Sequence, residues 1–129
     1  MFFAVCALAL TGCADSGTDV YDGAQTQADT LPAEVPAEEY DFDPDSSRLL
    51  ATHKGYQFFA VSSPSQGDCL LSYDPTAPQT WVAGCSTGNR IGTSGQVGIT
   101  ADYDPQGLPD TEAPDGWIRL TPQLQVSEG

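Results

Sequence analysis

Basic side chains are nearly missing from this chain. Arg48, Lys54, Arg90 and Arg119 are the four in 129 residues, against eighteen Asp or Glu, for a formal net charge of −14. Binding to a phosphate backbone rests on Lys and Arg releasing counterions, so nucleic acid is not an expected partner. Histidine is just as scarce: any Ser-His-Asp or Cys-His arrangement would have to use His53, the single one present. Its place beside Lys54, near the end of an expected helix, offers a plainer role at the negative end of the helix dipole. Neither GxSxG nor GxxxxGK[ST] occurs, and Gly88, Gly92, Gly95 and Gly98 lack a following helix that could receive a phosphate. No CxxC or HxxxH spacing exists for zinc. The run Asp41-Phe-Asp-Pro-Asp45 begins like a calcium loop but has Ser46 where glycine is required and Thr52 where the bidentate Glu belongs. No catalytic residue, metal or cofactor is therefore expected. Long apolar runs are missing as well. Phe2 to Leu10, nine residues, falls far short of the ~20 needed to cross a bilayer as a helix.

What that short run does suit is the apolar core of an export signal, followed by small residues at Thr11 and Gly12 where a peptidase must seat the chain. The stretch Leu10-Thr11-Gly12-Cys13 resembles the lipobox of bacterial lipoproteins. The resemblance implies a diacylglyceryl group on the Cys13 sulfur, cleavage between Gly12 and Cys13, and removal of residues 1–12 as a signal peptide. Two acyl chains hold a protein at a membrane where one binds only reversibly. The expected address is the cell membrane, lipid-anchored, on the extracytoplasmic face. No Lys or Arg precedes the apolar run, a departure from the positive n-region of export signals. By that reading the true start lies upstream or the signal is atypical.

Acidity is concentrated after this point. From Asp15 to Asp45 there are ten Asp or Glu and no base, whereas Ser46 to Gly129 holds the other eight acids and all four bases. Residues 13–43 read as a lipidated cysteine and an acidic, disordered tether, because large apolar residues are too few to offset chain entropy. The folded part is expected over 44–122, with 123–129 as a disordered tail. Its first element reads as a short helix, with Asp43 as N-cap, Pro44 at the first helical position and Gly55 just past the end. Tyr56–Val61, Cys69–Tyr73, Thr80–Cys85, Gln96–Tyr103 and Trp117–Thr121 read as strands divided by Gly- and Pro-rich turns. In Gln96–Tyr103 the apolar residues Val97, Ile99, Ala101 and Tyr103 alternate strictly with the others. The fold class is α+β and β-dominated: a small antiparallel sheet with one N-terminal helix. Trp81 and Trp117 are assigned to the core.

A domain of about eighty residues is marginal on a hydrophobic core alone. Cys69 and Cys85 each fall in an expected strand, and an exported protein meets an oxidising medium, so the two are paired as a disulfide. In a reducing compartment they would instead be two buried thiols. The pairing contributes on the order of 3 kcal/mol through the unfolded chain. Cys6 leaves with the signal. From Ser46 to about Pro122 the domain loosely resembles small envelope proteins of Gram-positive bacteria with no assigned activity. The matching stretches are Ser47–Leu50, Tyr56–Val61, Cys69–Leu71, Trp81–Cys85 and Pro114–Gly116. The resemblance agrees with the cysteine pairing and carries no functional residue over.

These readings converge on a monomeric lipoprotein held at the membrane through Cys13. An unidentified envelope protein or wall component is its expected partner. The alternative is a small secreted hydrolase or other enzyme whose site carries no familiar motif.

Overall fold

The computed structural model describes residues 20–88, 90–94, 99–109 and 113–128. The lipobox and Cys13 lie outside them. Among the described residues eight strands form two four-stranded sheets, every pairing antiparallel. The first sheet is a meander of β1 (Asp43–His53), β2 (Tyr56–Ser63), β3 (Gly67–Tyr73) and β4 (Val82–Ser86), in that order. The second contains β5 (Ile91–Thr93), β6 (Thr100–Tyr103), β7 (Trp117–Thr121) and β8 (Leu124–Ser127), with β8 inserted between β6 and β7. The expected β-dominated antiparallel fold is present, but as two sheets.

An inner apolar cluster fills the space between the sheets. Phe58, Ala60 and Leu70 come from the first, and Ile91, Ala101, Tyr103, Leu124 and Val126 from the second, joined by Ile99. Alternate residues of β2 and β3 point the other way. Phe59, Val61, Cys69, Leu71 and Tyr73 form an outer cluster on the far face of the first sheet. Both faces of β2 and β3 are thus buried, which is why FFAV and CLL read as continuous apolar runs without polar alternation.

The outer face is covered by the chain that precedes β1, and here the sequence reading needs correction. Residues 20–42, expected to be tether, form a strap across the sheet. Its Val35 and Phe42 are buried in the outer cluster, with Leu31 and Ala37 packed beside them. Two turns shape it, closed by Val35 N–H donating to the Pro32 carbonyl and Glu39 N–H to the Pro36 carbonyl, each at 3.0 Å. Polar groups fasten its start to β1. The Asp29 carboxylate accepts the Leu49 backbone N–H at 2.9 Å, the Ser47 hydroxyl donates to the Asp29 carbonyl at 2.7 Å, and Gln25 Nε2 donates to Ser47 Oγ at 2.9 Å. Arg48 reaches back to donate to the carbonyls of Tyr21 and Gly23. Farther along, the Tyr73 hydroxyl donates to Glu34 at 2.8 Å. A few apolar side chains suffice for the strap because the sheet supplies the opposing surface.

The expected helix is also absent; residues 43–53 are β1. Leu49 packs on the outer cluster and Leu50 on the inner one, the opposed directions of successive strand residues. Register shifts between Asp43 and Arg48 and between Leu49 and Ala51 break the alternation, so the segment carries no clean period of two. Gly55 does need a left-handed backbone, as a helix terminus would require. Here Lys54 (φ 51°) and Gly55 (φ 88°) instead form the tight turn of the β1–β2 hairpin. Helix in the described residues is limited to short 3₁₀ turns, including Gln27–Asp29 and Pro78–Thr80.

The C-terminal end departs as well. The segment taken as a disordered tail contains β8, an inner strand of the second sheet whose Leu124 and Val126 are fully buried. The polar loop expected before β6 contains β5, with Ile91 in the inner cluster. Of the strand expected over Gln96–Tyr103, residues 96–98 lie outside the described residues; in the rest Ile99, Ala101 and Tyr103 are buried while Thr100 and Asp102 are partly exposed, the expected alternation. In β7 a register shift between Arg119 and Thr121 separates the apolar residues Ile118 and Leu120. Leu120 packs on the inner cluster and Ile118 is exposed.

Candidate functional site

Cys69 and Cys85 lie directly opposite each other in the β3–β4 ladder and form the expected disulfide. Cys69 is fully buried in the outer cluster, and Cys85 is half-buried at the edge of it. The bridge fastens β4 to β3 at the point where β4 borders a cleft. Gly67 opens β3 with φ 91°, and a Cβ there would stand 2.4 Å from the Ser86 carbonyl oxygen, so only glycine lets β4 come this close.

The cleft has a volume of about 540 Å³ and lies between the end of the strap and β4. Three segments build it. The strap contributes Tyr40 and Phe42, whose rings stack at 5.8 Å with 21° between planes. The β2–β3 turn contributes Gln66, whose Nε2 donates to the Tyr40 carbonyl at 2.7 Å, while the neighbouring Ser65 hydroxyl donates to the Asp41 carboxylate. The β3–β4 connection contributes Gln79 and Trp81. In that connection the Asp74 carboxylate accepts both the Thr76 N–H and hydroxyl, the Ala77 N–H donates to the Asp74 carbonyl, and a Pro78–Thr80 turn follows. This local scaffold delivers Trp81 to the cleft wall, where it meets Tyr40 edge-on at 5.2 Å and 86°. Val82, Ala83, Cys85 and Ser94 complete the lining, which among the described residues contains no charged side chain.

Neither tryptophan is fully buried. Trp81 packs against the outer cluster and is partly exposed in this cleft, and Trp117, on β7 of the second sheet, is partly exposed in a second cleft of about 460 Å³ beside Lys54, Ile118 and Glu128.

His53 closes β1 rather than a helix. Its Nε2 lies 2.9 Å from Glu128 Oε2, and Lys54 Nζ donates to Glu128 Oε1 at 2.9 Å, which ties the first hairpin turn to the end of β8. The Lys54 ammonium and the His53 ring hold the Glu128 carboxyl below its ordinary range. On the outer face of the second sheet Arg90 makes a two-point ion pair with Asp102, which also accepts from Gln125 Nε2 at 3.0 Å. Burial pushes the Asp102 carboxyl up, but Arg90, Gln125 and Arg119 outweigh it and leave it lowered. These pairs hold strands together, and Lys54 and Glu128 also border the second cleft beside Ser127. Among the described residues no group of three or more His, Cys, Asp or Glu is placed to hold a metal ion. Among the same residues no helix is long and apolar enough to cross a membrane.

No family model, no curated protein and no solved structure matches this chain.

Proposed function

We propose that this chain is a membrane-anchored extracytoplasmic lipoprotein whose folded domain acts as a binding module for an envelope component. Cys13 is the lipid attachment point and residues 1–12 are removed on export. The observation that carries the reading is the Cys69–Cys85 disulfide. Disulfides form and persist in oxidising compartments, which agrees with a signal ending at Leu10-Thr11-Gly12-Cys13. The extent of the strap sharpens the picture. Val20 packs on the inner cluster seven positions after Cys13, a separation that the chain can span over at most ~25 Å. The domain is then held close to the membrane surface, and the aromatic cleft is its binding face.

Mass spectrometry of the envelope fraction tests the address. The expected N-terminal peptide begins at Cys13 and carries the mass of a diacylglyceryl group. An unlipidated peptide beginning before Cys13 overturns it. Cross-linking on intact cells tests the binding role, with specific capture of a protein or wall component as the supporting result and repeated failure as the opposing one.

A further inference from the structure

We propose that the cleft between the strap and β4 binds an uncharged saccharide of about two rings; this rests on the envelope-binding reading and names its ligand class. Trp81 and Tyr40 stand at 86° to each other, giving two aromatic walls that meet at a corner. A pyranose presents a flat apolar face of C–H groups and a rim of hydroxyls. One wall takes the face. The rim then meets amide and hydroxyl groups of Gln66, Gln79 and Ser94, which both donate and accept hydrogen bonds. Polar groups make up the larger share of the lining surface beside the aromatic rings, which suits a ligand rimmed by hydroxyls, and about 540 Å³ falls within the usual size range of a small-molecule site.

Charge selects among ligands. The chain carries a formal net charge of −14, and among the described residues no Lys or Arg lines the cleft. A phosphate, sulfate or uronate would enter against the field of the whole domain with no base to receive it. A cation would find no lining carboxylate among the described residues. An uncharged polyol is indifferent to the field.

The test uses the full chain in a sugar-free detergent, with Trp117→Phe leaving Trp81 as the sole tryptophan. Its fluorescence is titrated with cellobiose and N,N′-diacetylchitobiose, and in parallel with glucose 6-phosphate and a triglycine peptide. Saturable change with an uncharged disaccharide is expected, with Kd on the order of 1 mM. Tyr40→Ala and Gln79→Ala should each weaken it about tenfold; exposed Gln79 is replaced at unchanged Tm, whereas Tyr40→Ala also loses ring contacts with Phe42 and Trp81 and is titrated well below its lowered Tm. The inference is overturned if neither disaccharide gives saturation, if the phosphate or peptide binds as well, or if both variants bind like the parent. Should saccharide binding fail while cross-linking on cells still captures a specific envelope component, the saccharide inference falls alone and the binding-module reading stands.

Discussion

Replacing Phe42 with alanine separates a structural strap from a flexible tether. The ring is 5% exposed, sits in the outer cluster with Phe59 and Leu71, and stacks on Tyr40 at 5.8 Å. Truncating a buried Phe to Ala costs about 3–5 kcal/mol, combining lost transfer free energy with the cavity left behind. Phe42 also borders the open cleft, so water can enter the vacated space and the cavity part shrinks; the expected loss is about 3 kcal/mol. Against a typical total of ~5–15 kcal/mol this is a large fraction. At roughly 4 °C per kcal/mol for a domain of this size, the midpoint falls by about 12 °C. Urea denaturation followed by tryptophan fluorescence, with calorimetry for Tm, measures both. Phe42→Leu keeps most of the apolar volume and should cost about 1 kcal/mol. Were residues 20–42 a solvated tether, both variants would lie within about 0.5 kcal/mol of the parent, and that result would refute the packing argument.

Removing the bridge with Cys69→Ser and Cys85→Ser together should lower stability by on the order of 3 kcal/mol, read as the same loss that reductant causes in the parent. Leu124→Ala, at a fully buried position in an inner strand, should cost about 2–5 kcal/mol, whereas a residue in a frayed tail would cost nearly nothing. Asp29→Asn should cost about 1 kcal/mol at pH 7, because an amide cannot accept from Thr26 and Leu49 with both of its polar atoms. Burial raises the Asp29 carboxyl, but those donors and Arg48 leave it lowered in the fold. Its contribution is therefore present above the unfolded value near ~3.9 and is lost as pH falls through the folded value. Denaturation at pH 7 and pH 3 should show the gap between Asp29→Asn and parent closing at the lower pH; a gap of constant size would exclude this role.

Strands β2, β3, β4, β6 and β7 were legible because each is a short run of aromatic, β-branched or alternating residues between turn formers. The cysteine pairing followed from two of them. β1 was not legible: Pro44, the acidic residues around it and Gly55 imitate helix ends, and two register shifts erase the alternation. The left-handed backbone at Gly55 was read correctly and its element wrongly, since hairpin turns and helix termini ask for the same φ. The strap and β8 failed for another reason. Leu31, Val35, Ala37 and Phe42 are sparse and irregularly spaced, and Leu124–Ser127 is four residues long. Neither has enough apolar surface to fold alone. The aromatic cleft was invisible for the same reason, since Tyr40, Gln66 and Trp81 come from segments that meet only across the sheet.

By itself the sequence determined the charge imbalance, the positions of the apolar runs and the four letters LTGC that point to Cys13. Those are local or summed properties, and no neighbour in space can alter them. Tertiary structure decided which faces are buried, and thereby turned an acidic, Pro-containing stretch into a strap and a presumed tail into an inner strand. Burial of a weakly apolar segment depends on the partner surface it meets, and that surface exists only after β2 and β3 have paired.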